Sequence, residues 1–477
     1  MKTTLSLILA GALAASATEL ITLGDSLTFA YEATFANEAE IPFDGPIGDG
    51  FDPDEVKNWA EILQQLRGSE FDLGERDTIS ASISFFTITS FFRQERNWAI
   101  PGLKLNPLRR FITGEATILT LLAESEEFSN YAELIENTDF NEAEDFAVGD
   151  LNDQIENSDG RLVLFMGGND VDAIYGTLYD GGSAGTFITD FLADTAAVLT
   201  HIQMLNPDLP IALVNVPHVG ITPNVKEVYP PDAVKTARVT DFMEELNEGL
   251  EDLANSRGIA YADIFTPTRF LLDADPLSVY GVPFTNAATE AGATDDDLEF
   301  VWLSGDLAQG FHPSTSAQAL IANEIIAAFN DKYQATIPAL TTNEVLVDLL
   351  QREEQEVDMN FTSWAASYSL AGLDAEDDQD GDGIPAALEF GLGLNPLYAD
   401  RFTLDYSLTP EQLTVTYPLR LPSSSHVTVT PQFTDNLADG FQPFDPLPTI
   451  GEDQLFRASL PRESPRAFLR VSATLEP

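Results

Sequence analysis

Four short apolar runs, separated by loops and helical segments, dominate the first two thirds of the chain. They are Leu20–Leu23, Arg161–Met166, Ile211–Val216 and Ile259–Ala262. Continuous apolar runs of this length are typical of strands that are buried on both faces of a parallel sheet. Helical periodicity appears between and after them, at about 56–66, 187–205, 231–256 and 315–333. Strands that alternate with helices predict an α/β domain built on a doubly wound parallel sheet.

A serine follows the first apolar run directly. The run ends in Gly24-Asp25-Ser26-Leu27, which puts Ser26 at the carboxyl end of a buried strand, where open α/β sheets place their ligands. A serine hydroxyl is a weak nucleophile and needs both a base and oxyanion donors. The segment lacks the second glycine of a G-x-S-x-G motif, so an α/β-hydrolase scaffold is disfavoured.

Two further loops offer oxyanion donors. Gly102 closes the segment Asn97-Trp98-Ala99-Ile100-Pro101-Gly102, and a glycine there can bring a backbone N–H close to a ligand. An ordinary turn glycine fits the same pattern. The second apolar run ends in Gly167-Gly168-Asn169-Asp170, turn-forming residues that bound the predicted strand.

The base must come from the four histidines of the chain. His312 stands in a loop before the last predicted helix, and Pro313 stiffens this loop, which suits a base that keeps a fixed orientation. His218 follows the carboxyl end of a strand and fits either a cleft wall or a plain loop. His201 is predicted on a helix surface, and His426 belongs to a later part of the chain.

In this order, GDSL at 24–27, Gly102, GGND at 167–170 and FHPS at 311–314 resemble the four blocks of the SGNH hydrolases, also called GDSL-type esterases and lipases. The resemblance covers about residues 20–335. It implies a three-layer α/β/α, flavodoxin-like fold and the hydrolysis of a small-molecule, lipid or glycan ester, without a cofactor for catalysis.

The resemblance also implies a role for each matching residue. The nucleophile falls on Ser26 and the base on His312. The oxyanion donors fall on the backbone N–H groups of Ser26 and Gly102 and on the side-chain amide of Asn169. A carboxylate orients the imidazole and stabilises its charged form, as in other serine hydrolases.

The chain departs from the family where that carboxylate is expected. The family usually has an Asp three residues before the histidine, but this chain has Gln309 there, and the nearest acid is Asp306. Three alternatives stay open: Asp306, which we favour, Gln309 as a neutral orienting group, or a backbone carbonyl.

The charge of the chain excludes one class of partner. Its 78 acidic and 23 basic residues give a net charge of -55, which repels phosphate backbones and anionic membrane surfaces. We therefore expect no nucleic-acid partner. The oligomeric state cannot be read from the sequence.

The N-terminus has the pattern of a secretory signal peptide. Lys2 precedes the apolar residues 5–14 and the small residues Ala15-Ser16-Ala17, which predicts cleavage after Ala17 and export of the protein. No apolar stretch has the length of a membrane span in the C-terminal part. The chain has no cysteine, so an exported protein of this sequence has no disulfide.

A calcium motif follows the predicted α/β domain. Residues 378–389 fit D-x-D-x-D-G-x₅-E, with carboxylates at Asp378, Asp380 and Asp382, a backbone carbonyl at Ile384 and a bidentate carboxylate at Glu389. Hard oxygen ligands at this spacing predict a structural calcium ion. The segment resembles the calcium loops of dockerin and thrombospondin type 3 repeats, and its single copy favours a structural clamp over cohesin pairing.

The last part of the chain is predicted to be a small β-sandwich. Apolar and polar residues alternate at 402–406, 413–417, 427–430 and 467–471, with Pro- and Gly-rich turns between them. Such a domain can hold a carbohydrate, hold a cell surface or act as a spacer. The predicted organisation is thus a signal peptide (1–17), a hydrolase domain (18–335), a linker with the calcium loop (336–400) and a β-rich domain (401–477).

Two hypotheses from different classes follow. The first is a secreted serine hydrolase that cleaves carboxylic esters through an acyl-enzyme on Ser26. The second, motivated by Gln309, is a catalytically impaired protein that binds calcium and acts in binding or at a surface. The insertions at 33–54 and 78–158 are expected to shape the pocket, but they do not identify the ester. The second insertion begins with a β-rich run at 78–92, a hairpin or an inserted strand pair, and continues in acidic helical segments at 111–158.

Overall fold

The computed structural model describes residues 17–31, 56–83, 86–125, 139–140, 147–270, 272, 277–279, 282–288, 300–303, 310–352, 359–368, 370–394, 396–397, 405–409, 412–417, 419, 426–445, 448–450, 456–461 and 468–476. The signal peptide up to residue 16, the loop at 33–54, Asp306 and Gln309 lie outside the described residues.

The strands and helices follow the alternation predicted for the first two thirds of the chain. The strands are β1 (Leu20–Gly24), β2 (Arg76–Ile83), β3 (Phe86–Gln94), β4 (Asp139–Phe140), β5 (Arg161–Phe165), β6 (Ile211–Val214), β7 (Ala260–Ala262), β8 (Leu277–Val279), β9 (Val282–Ala288), β10 (Phe300–Trp302), β11 (Asp405–Leu408), β12 (Gln412–Tyr417), β13 (Val427–Thr434), β14 (Gln442–Pro443), β15 (Thr449–Ile450), β16 (Phe456–Pro461) and β17 (Phe468–Leu475). The helices are α1 (Trp59–Arg67), α2 (Leu105–Ile112), α3 (Ile118–Glu124), α4 (Val148–Asn157), α5 (Gly168–Tyr179), α6 (Phe187–Leu205), α7 (Pro223–Val228), α8 (Ala233–Arg257), α9 (Phe265–Phe270), α10 (Thr315–Tyr333), α11 (Phe361–Ser367) and α12 (Ala386–Leu392). A short 3₁₀ helix spans Val219–Ile221 and a π-helix spans Glu344–Leu349.

The central sheet is parallel and has the order β1-β5-β6-β7. Its register pairs Gly24 with Phe165, Phe165 with Val214, and Val214 with Ala262. The carboxyl ends of the strands are therefore level, and the loops that follow them meet at one edge. Isolated parallel bridges at Asp72 and Asn97 extend the pairing beyond β1.

Residues that alternate along the strands separate two apolar cores. Ile21, Leu23, Leu162 and Leu164 face a core formed with α2, α4, α5, α6 and α8. Leu20, Val163 and Phe165 face a second core formed with α1 and α10. This is the consequence of the two-residue period of a strand. The predicted three-layer α/β/α architecture is confirmed.

Helix α1 begins three residues later than its periodicity predicts. The Asn58 side chain accepts hydrogen bonds from the Ala60 and Glu61 amides, and Glu61 accepts the Asn58 amide in return. This capping box fixes the start of the helix. The bounds of α6 and α10 agree with the sequence prediction, whereas no helix was predicted at α5, which begins at the glycines of GGND.

Two smaller sheets flank the parallel sheet. Strands β2 and β3 pair as an antiparallel hairpin, and β4 joins them in the order β3-β2-β4. Strands β10, β9 and β8 form another three-stranded sheet. This sheet leads into the loop of His312. The Leu303 amide donates to the His312 carbonyl, and the Val301 carbonyl accepts from the amide two residues after His312.

The start of the predicted linker packs on the α/β domain. Leu340, Val345, Leu346 and Leu349 are buried in the core that also contains α1 and α10. Arg67 and Glu344 form an ion pair of 2.8 Å, with side-chain exposures of 8% and 11%. Residues 336–352 are therefore part of the packed structure.

The C-terminal part contains two antiparallel sheets, as expected for a β-rich domain. One has the order β11-β12-β16-β15 and the other β14-β13-β17. Side chains from both sheets, including Val415, Tyr417, Val429 and Phe444, form one apolar cluster.

Within the described residues, no helix combines the length and the apolar character that are needed to span a membrane.

Candidate active site

Ser26 lies in a tight turn at the carboxyl end of β1. The amides of Thr28 and Phe29 donate to the Asp25 carbonyl at 3.1 and 3.0 Å, and the Leu27 amide donates to the Asp25 carboxylate at 3.0 Å. Asp25 and Leu27 are buried, whereas Ser26 is partly exposed. A Cβ at Gly24 would lie 2.5 Å from the Thr28 side chain, so the turn needs glycine there.

Two buried asparagines hold this turn from outside. The Nδ2 atoms of Asn97 and Asn58 lie 2.9 and 3.2 Å from the Thr28 carbonyl oxygen. Asn97 accepts a hydrogen bond from the Thr22 hydroxyl on β1, and Asn58 also donates to the Phe29 carbonyl. Both asparagines are fully buried. The sequence analysis missed this role, although the N-x-x-E pattern of Asn58 and Glu61 marks a helix cap.

Gly102 lies in a loop that is attached to the same strand. The amides of Trp98 and Ile100 donate to the carbonyls of Thr22 and Gly24 at 2.9 and 3.1 Å. Gly102 has a φ of 67°, in the left-handed region that favours glycine. Its position thus has a conformational reason to be glycine.

Asn169 and Asp170 join the Gly102 loop to the start of α5. The Asn169 Nδ2 atom donates to the Leu103 carbonyl at 3.2 Å. The Leu105 amide, at the start of α2, donates to the Asp170 carboxylate at 3.1 and 3.3 Å. The residues on both sides of Gly102 are therefore attached to the two strands that carry Ser26 and Asn169.

Two carboxylates with raised pKa values flank this region. Burial raises the pKa of Asp25 to about 7; the hydrogen bond from Leu27 opposes the rise, and nearby Asp170 adds to it. Partial burial also raises the pKa of Asp170 to about 7, and the hydrogen bond from the Leu105 amide opposes this rise. Both groups favour their neutral forms more than ordinary aspartates do.

His312 lies in the loop between β10 and α10 and is 8% exposed. Its carbonyl accepts the Leu303 amide at 3.0 Å, and the Ser314 amide donates to the Val301 carbonyl at 2.7 Å. The Tyr31 ring meets the imidazole edge to face, with 6.3 Å between centroids. Since Tyr31 is on the Ser26 loop, the structure brings the serine and histidine loops together.

An apolar cavity lies beside these loops. Leu27 and Gly168 reach it from the serine and asparagine loops, and Phe311 and Pro313 reach it from both sides of His312. The remaining wall is mostly aliphatic and aromatic, with Ile221, Ile264, Trp302, Leu320 and Ile321 among its members. The cavity thus lies against the chain neighbours of Ser26, Asn169 and His312.

The other three histidines have surroundings that differ from those of His312. His218 lines the same cavity but is fully buried, and its ring nitrogens contact the Thr240 hydroxyl at 3.0 Å and the Gly220 amide at 3.2 Å. Burial lowers the pKa of His218 to about 4, so it is neutral at physiological pH. His201 contacts Asn152 on the outer helices, and His426 precedes β13.

The acidic loop at 378–389 brings three aspartates together. One carboxylate oxygen each from Asp378, Asp380 and Asp382 lies within 4.8 Å of the others. The Gly381 and Gly383 amides donate to Asp378 at 2.8 and 3.0 Å, and the Ile384 amide donates to Asp382 at 2.7 Å. Burial, with repulsion from Asp382 and Asp378, raises the pKa of Asp380.

Glu389 lies in the first turn of α12 and is fully buried. It is not part of the group of converging carboxylates. The three aspartate oxygens fit the hard-oxygen chemistry of calcium.

Comparisons with known proteins give one family match. A family model described as GDSL-like Lipase/Acylhydrolase matches residues 20–325. A search of curated proteins finds no match.

Several solved structures are similar at low identity. Phospholipase A1 from Streptomyces albidoflavus NA297 is 12% identical, with a TM-score of 0.31, and covers 66% of this chain and 100% of its own. A possible lipase from Chitinophaga pinensis DSM 2588 is 13% identical, with a TM-score of 0.30 and coverages of 67% and 100%. An extracellular lipase from Streptomyces rimosus is 12% identical, with a TM-score of 0.29 and coverages of 65% and 100%.

Proposed function

The chain belongs to the GDSL-like lipase/acylhydrolase family, and we propose that it is a secreted serine hydrolase that cleaves carboxylic esters through an acyl-enzyme on Ser26. The observation that carries this proposal is that the neighbours of Ser26, Asn169 and His312 in the chain line one apolar cavity, while the Asn169 side chain is hydrogen-bonded to the loop of Gly102.

In the proposed mechanism, Ser26 attacks the ester carbonyl while His312 takes its proton. His312 then gives that proton to the leaving alcohol, and the same base activates the water that releases the acid. Asp306 is the proposed carboxylate behind His312, and Gln309 or a backbone carbonyl are the alternatives.

The oxyanion donors are proposed to be the amides of Ser26 and Gly102 and the side chain of Asn169. A side-chain amide has two N–H groups. In Asn169 one of them holds the Leu103 carbonyl, which leaves the second for the substrate oxygen. Donors fixed before the reaction favour the oxygen that becomes negative only in the tetrahedral intermediate.

The cavity favours an aliphatic acyl chain over an acetyl group. Each buried methylene contributes about 0.8 kcal/mol, and an apolar chamber beside the nucleophile realises this gain for a chain of several carbons. We therefore propose an esterase or lipase that acts on acyl esters. An O-acetyl esterase for carbohydrates is the alternative, because an acetyl group can bind while the rest of the cavity stays empty.

Two further proposals concern the rest of the chain. The basic residue, apolar stretch and small residues before Thr18 support export. The loop at 378–389 is proposed to hold a structural calcium ion through Asp378, Asp380, Asp382, the Ile384 carbonyl and Glu389. Such an ion would fix the loop against α12 and play no part in ester cleavage.

A fluorophosphonate probe tests the proposed mechanism against a catalytically impaired binding protein. The wild type is expected to be labelled at Ser26, and the hydrolysis of p-nitrophenyl butyrate should stop as labelling proceeds. A folded wild type that takes up no label and hydrolyses no ester of any chain length would support the binding protein.

A further inference from the structure

The loop of Ser26 contacts the loop of His312 through one side chain. Tyr31 follows the nucleophile turn and is 8% exposed, and its ring stands nearly perpendicular to the His312 imidazole, at 84°. The Tyr31 hydroxyl lies 3.4 Å from the carbonyl oxygen of Pro313, the residue after His312. A single side chain thus contacts both the imidazole and the backbone next to it.

A fully buried glutamine fixes the direction of the Tyr31 hydroxyl. The Gln318 Nε2 atom, on α10, donates to the Tyr31 oxygen at 2.7 Å. The Gln318 Oε1 atom accepts the Trp59 amide, at the start of α1, at 3.2 Å. The Tyr31 oxygen thus accepts from Gln318 while the Tyr31 hydroxyl donates to the Pro313 carbonyl.

The hydrogen bonds between these groups all run in one direction. The Trp59 amide donates to Gln318, Gln318 donates to Tyr31, and Tyr31 donates to Pro313. Buried networks of this kind define one arrangement of the groups that they join. The groups joined here are α1, α10, the serine loop and the histidine loop.

We propose that Tyr31 is a positioning residue for His312. Its hydroxyl, which is oriented by Gln318, and its ring together hold the imidazole in the orientation that faces Ser26. A base must lie within hydrogen-bond reach of the proton that it takes, so a small displacement of the ring lowers the rate of proton transfer. Two loops that are 282 residues apart in sequence are coupled in this way.

The inference rests on the proposed role of His312 as the base. Ser26→Ala and His312→Ala test that role, and Tyr31 variants test the positioning. Loss of activity in the first two variants with an unchanged Tyr31 variant would reject the positioning alone. Full activity of Ser26→Ala would reject the proposed function.

The main variant is Tyr31→Phe, which keeps the ring and removes the hydroxyl. We expect kcat for p-nitrophenyl butyrate to fall about tenfold with KM within twofold, since general-base catalysis as a whole contributes roughly 10²–10⁴-fold. The matched control is Tyr333→Phe. The Tyr333 hydroxyl also makes two hydrogen bonds: it accepts from the amide and donates to the carbonyl of Ile211 on β6, outside the site. Its kcat should stay within twofold of wild type.

Histidine NMR provides a readout that does not depend on activity. The chain has four histidines, so the His312 side-chain signals can be assigned by comparison with His312→Gln. These signals should shift or broaden in Tyr31→Phe and stay in place in Tyr333→Phe. Unchanged His312 signals together with an unchanged kcat in Tyr31→Phe would overturn the proposal.

Gln318→Glu provides a second route if Tyr31→Phe does not fold. Burial favours the neutral acid at this position, so kcat is followed from pH 6 to pH 9. Once ionised, the carboxylate still accepts the Trp59 amide, but it accepts rather than donates at Tyr31 and so draws the hydroxyl proton away from Pro313. The kcat should again fall and the His312 signals should again move. A Gln318→Glu protein with wild-type kcat and wild-type His312 signals would contradict the inference.

Discussion

The side-chain amide of Asn169 donates a hydrogen bond of 3.2 Å to the carbonyl of Leu103, the residue after Gly102. Two proposed oxyanion donors that lie on different loops are thus held together by the side chain of one of them. Replacing Asn169 removes a donor and also releases the other loop.

Asn169→Ala is expected to lower kcat by about a hundredfold or more, as the loss of a single oxyanion donor does in other enzymes. KM for p-nitrophenyl butyrate should change much less, because the donor acts on charge that develops in the transition state. Steady-state kinetics measures both.

Asn206→Ala is the control for this prediction. Its side chain donates to the carbonyls of Ile155 and Ser158, away from the site. This variant should melt at a lower temperature and keep its kcat. An Asn169→Ala protein that is no slower than Asn206→Ala would refute the oxyanion role.

The raised pKa of Asp25 predicts how stability depends on pH. The pKa of Asp25 is about 7 in the folded protein, and its ordinary value is 3.8. Between pH 3.8 and 7, the folded protein therefore binds a larger share of a proton at Asp25 than the unfolded chain does. Its contribution to stability is therefore fully present below pH 4 and is lost as the pH rises through 7. Asp25→Asn, which keeps an acceptor for the Leu27 amide, should lose fewer degrees of melting temperature than wild type between pH 4.5 and 7.5.

Scanning calorimetry at several pH values measures this difference. Asp208→Asn, at an exposed position, is the matched control for the loss of one charge from so acidic a chain. If Asp25→Asn and Asp208→Asn change the pH dependence of melting equally, the buried carboxyl has no special part in it.

Filling the cavity should change the preferred chain length. Ala317 lines the cavity on α10, so Ala317→Phe places an aromatic ring where the acyl chain is proposed to lie. We expect kcat/KM for p-nitrophenyl octanoate to fall at least tenfold, and that for the acetate to fall less than threefold, because each excluded methylene forfeits about 0.8 kcal/mol.

The control for the cavity is Ala317→Ser, which hardly changes the volume of the side chain. Its chain-length profile should follow wild type. An equal loss on octanoate and acetate in Ala317→Phe would show that the acyl chain lies elsewhere.

Calcium is expected to stabilise the C-terminal part of the chain. Chelation should lower the melting temperature of wild type by several degrees, because an ion that binds only the folded state stabilises it. Asp380→Asn should lower the melting temperature with calcium present and reduce the effect of the chelator. Hydrolysis of p-nitrophenyl butyrate should not respond to either change.

Glu376→Gln removes a neighbouring exposed charge and leaves the three clustered aspartates intact. It should respond to chelation as wild type does. A wild-type melt that is the same with calcium and with chelator would rule out the ion.

The sequence predicted the elements whose signal is local. The continuous apolar runs placed β1, β5, β6 and β7, and apolar periodicity placed α6 and α10 with their observed bounds. The position of Ser26 at the carboxyl end of a buried strand followed from the sequence pattern. That Gly102, Asn169 and His312 join it in one site was implied by the family resemblance.

What the sequence did not reveal depends on contacts between distant segments. Asn58, Asn97 and Gln318 are polar residues of ordinary appearance, and their roles arise only where the chain returns to the Ser26 turn. The packing of residues 336–352 was missed for a similar reason. Acidic residues there suggested a linker, whereas Glu344 is paired with Arg67, 277 residues away.

The measurement that tests the central claim most directly is kcat/KM of Ser26→Ala for p-nitrophenyl butyrate, compared with a wild type of the same purity and melting temperature. The loss of the nucleophile should lower kcat/KM by at least about 10³-fold, and a fluorophosphonate should no longer label the chain. A folded Ser26→Ala protein that hydrolyses the ester at the wild-type rate would contradict the account.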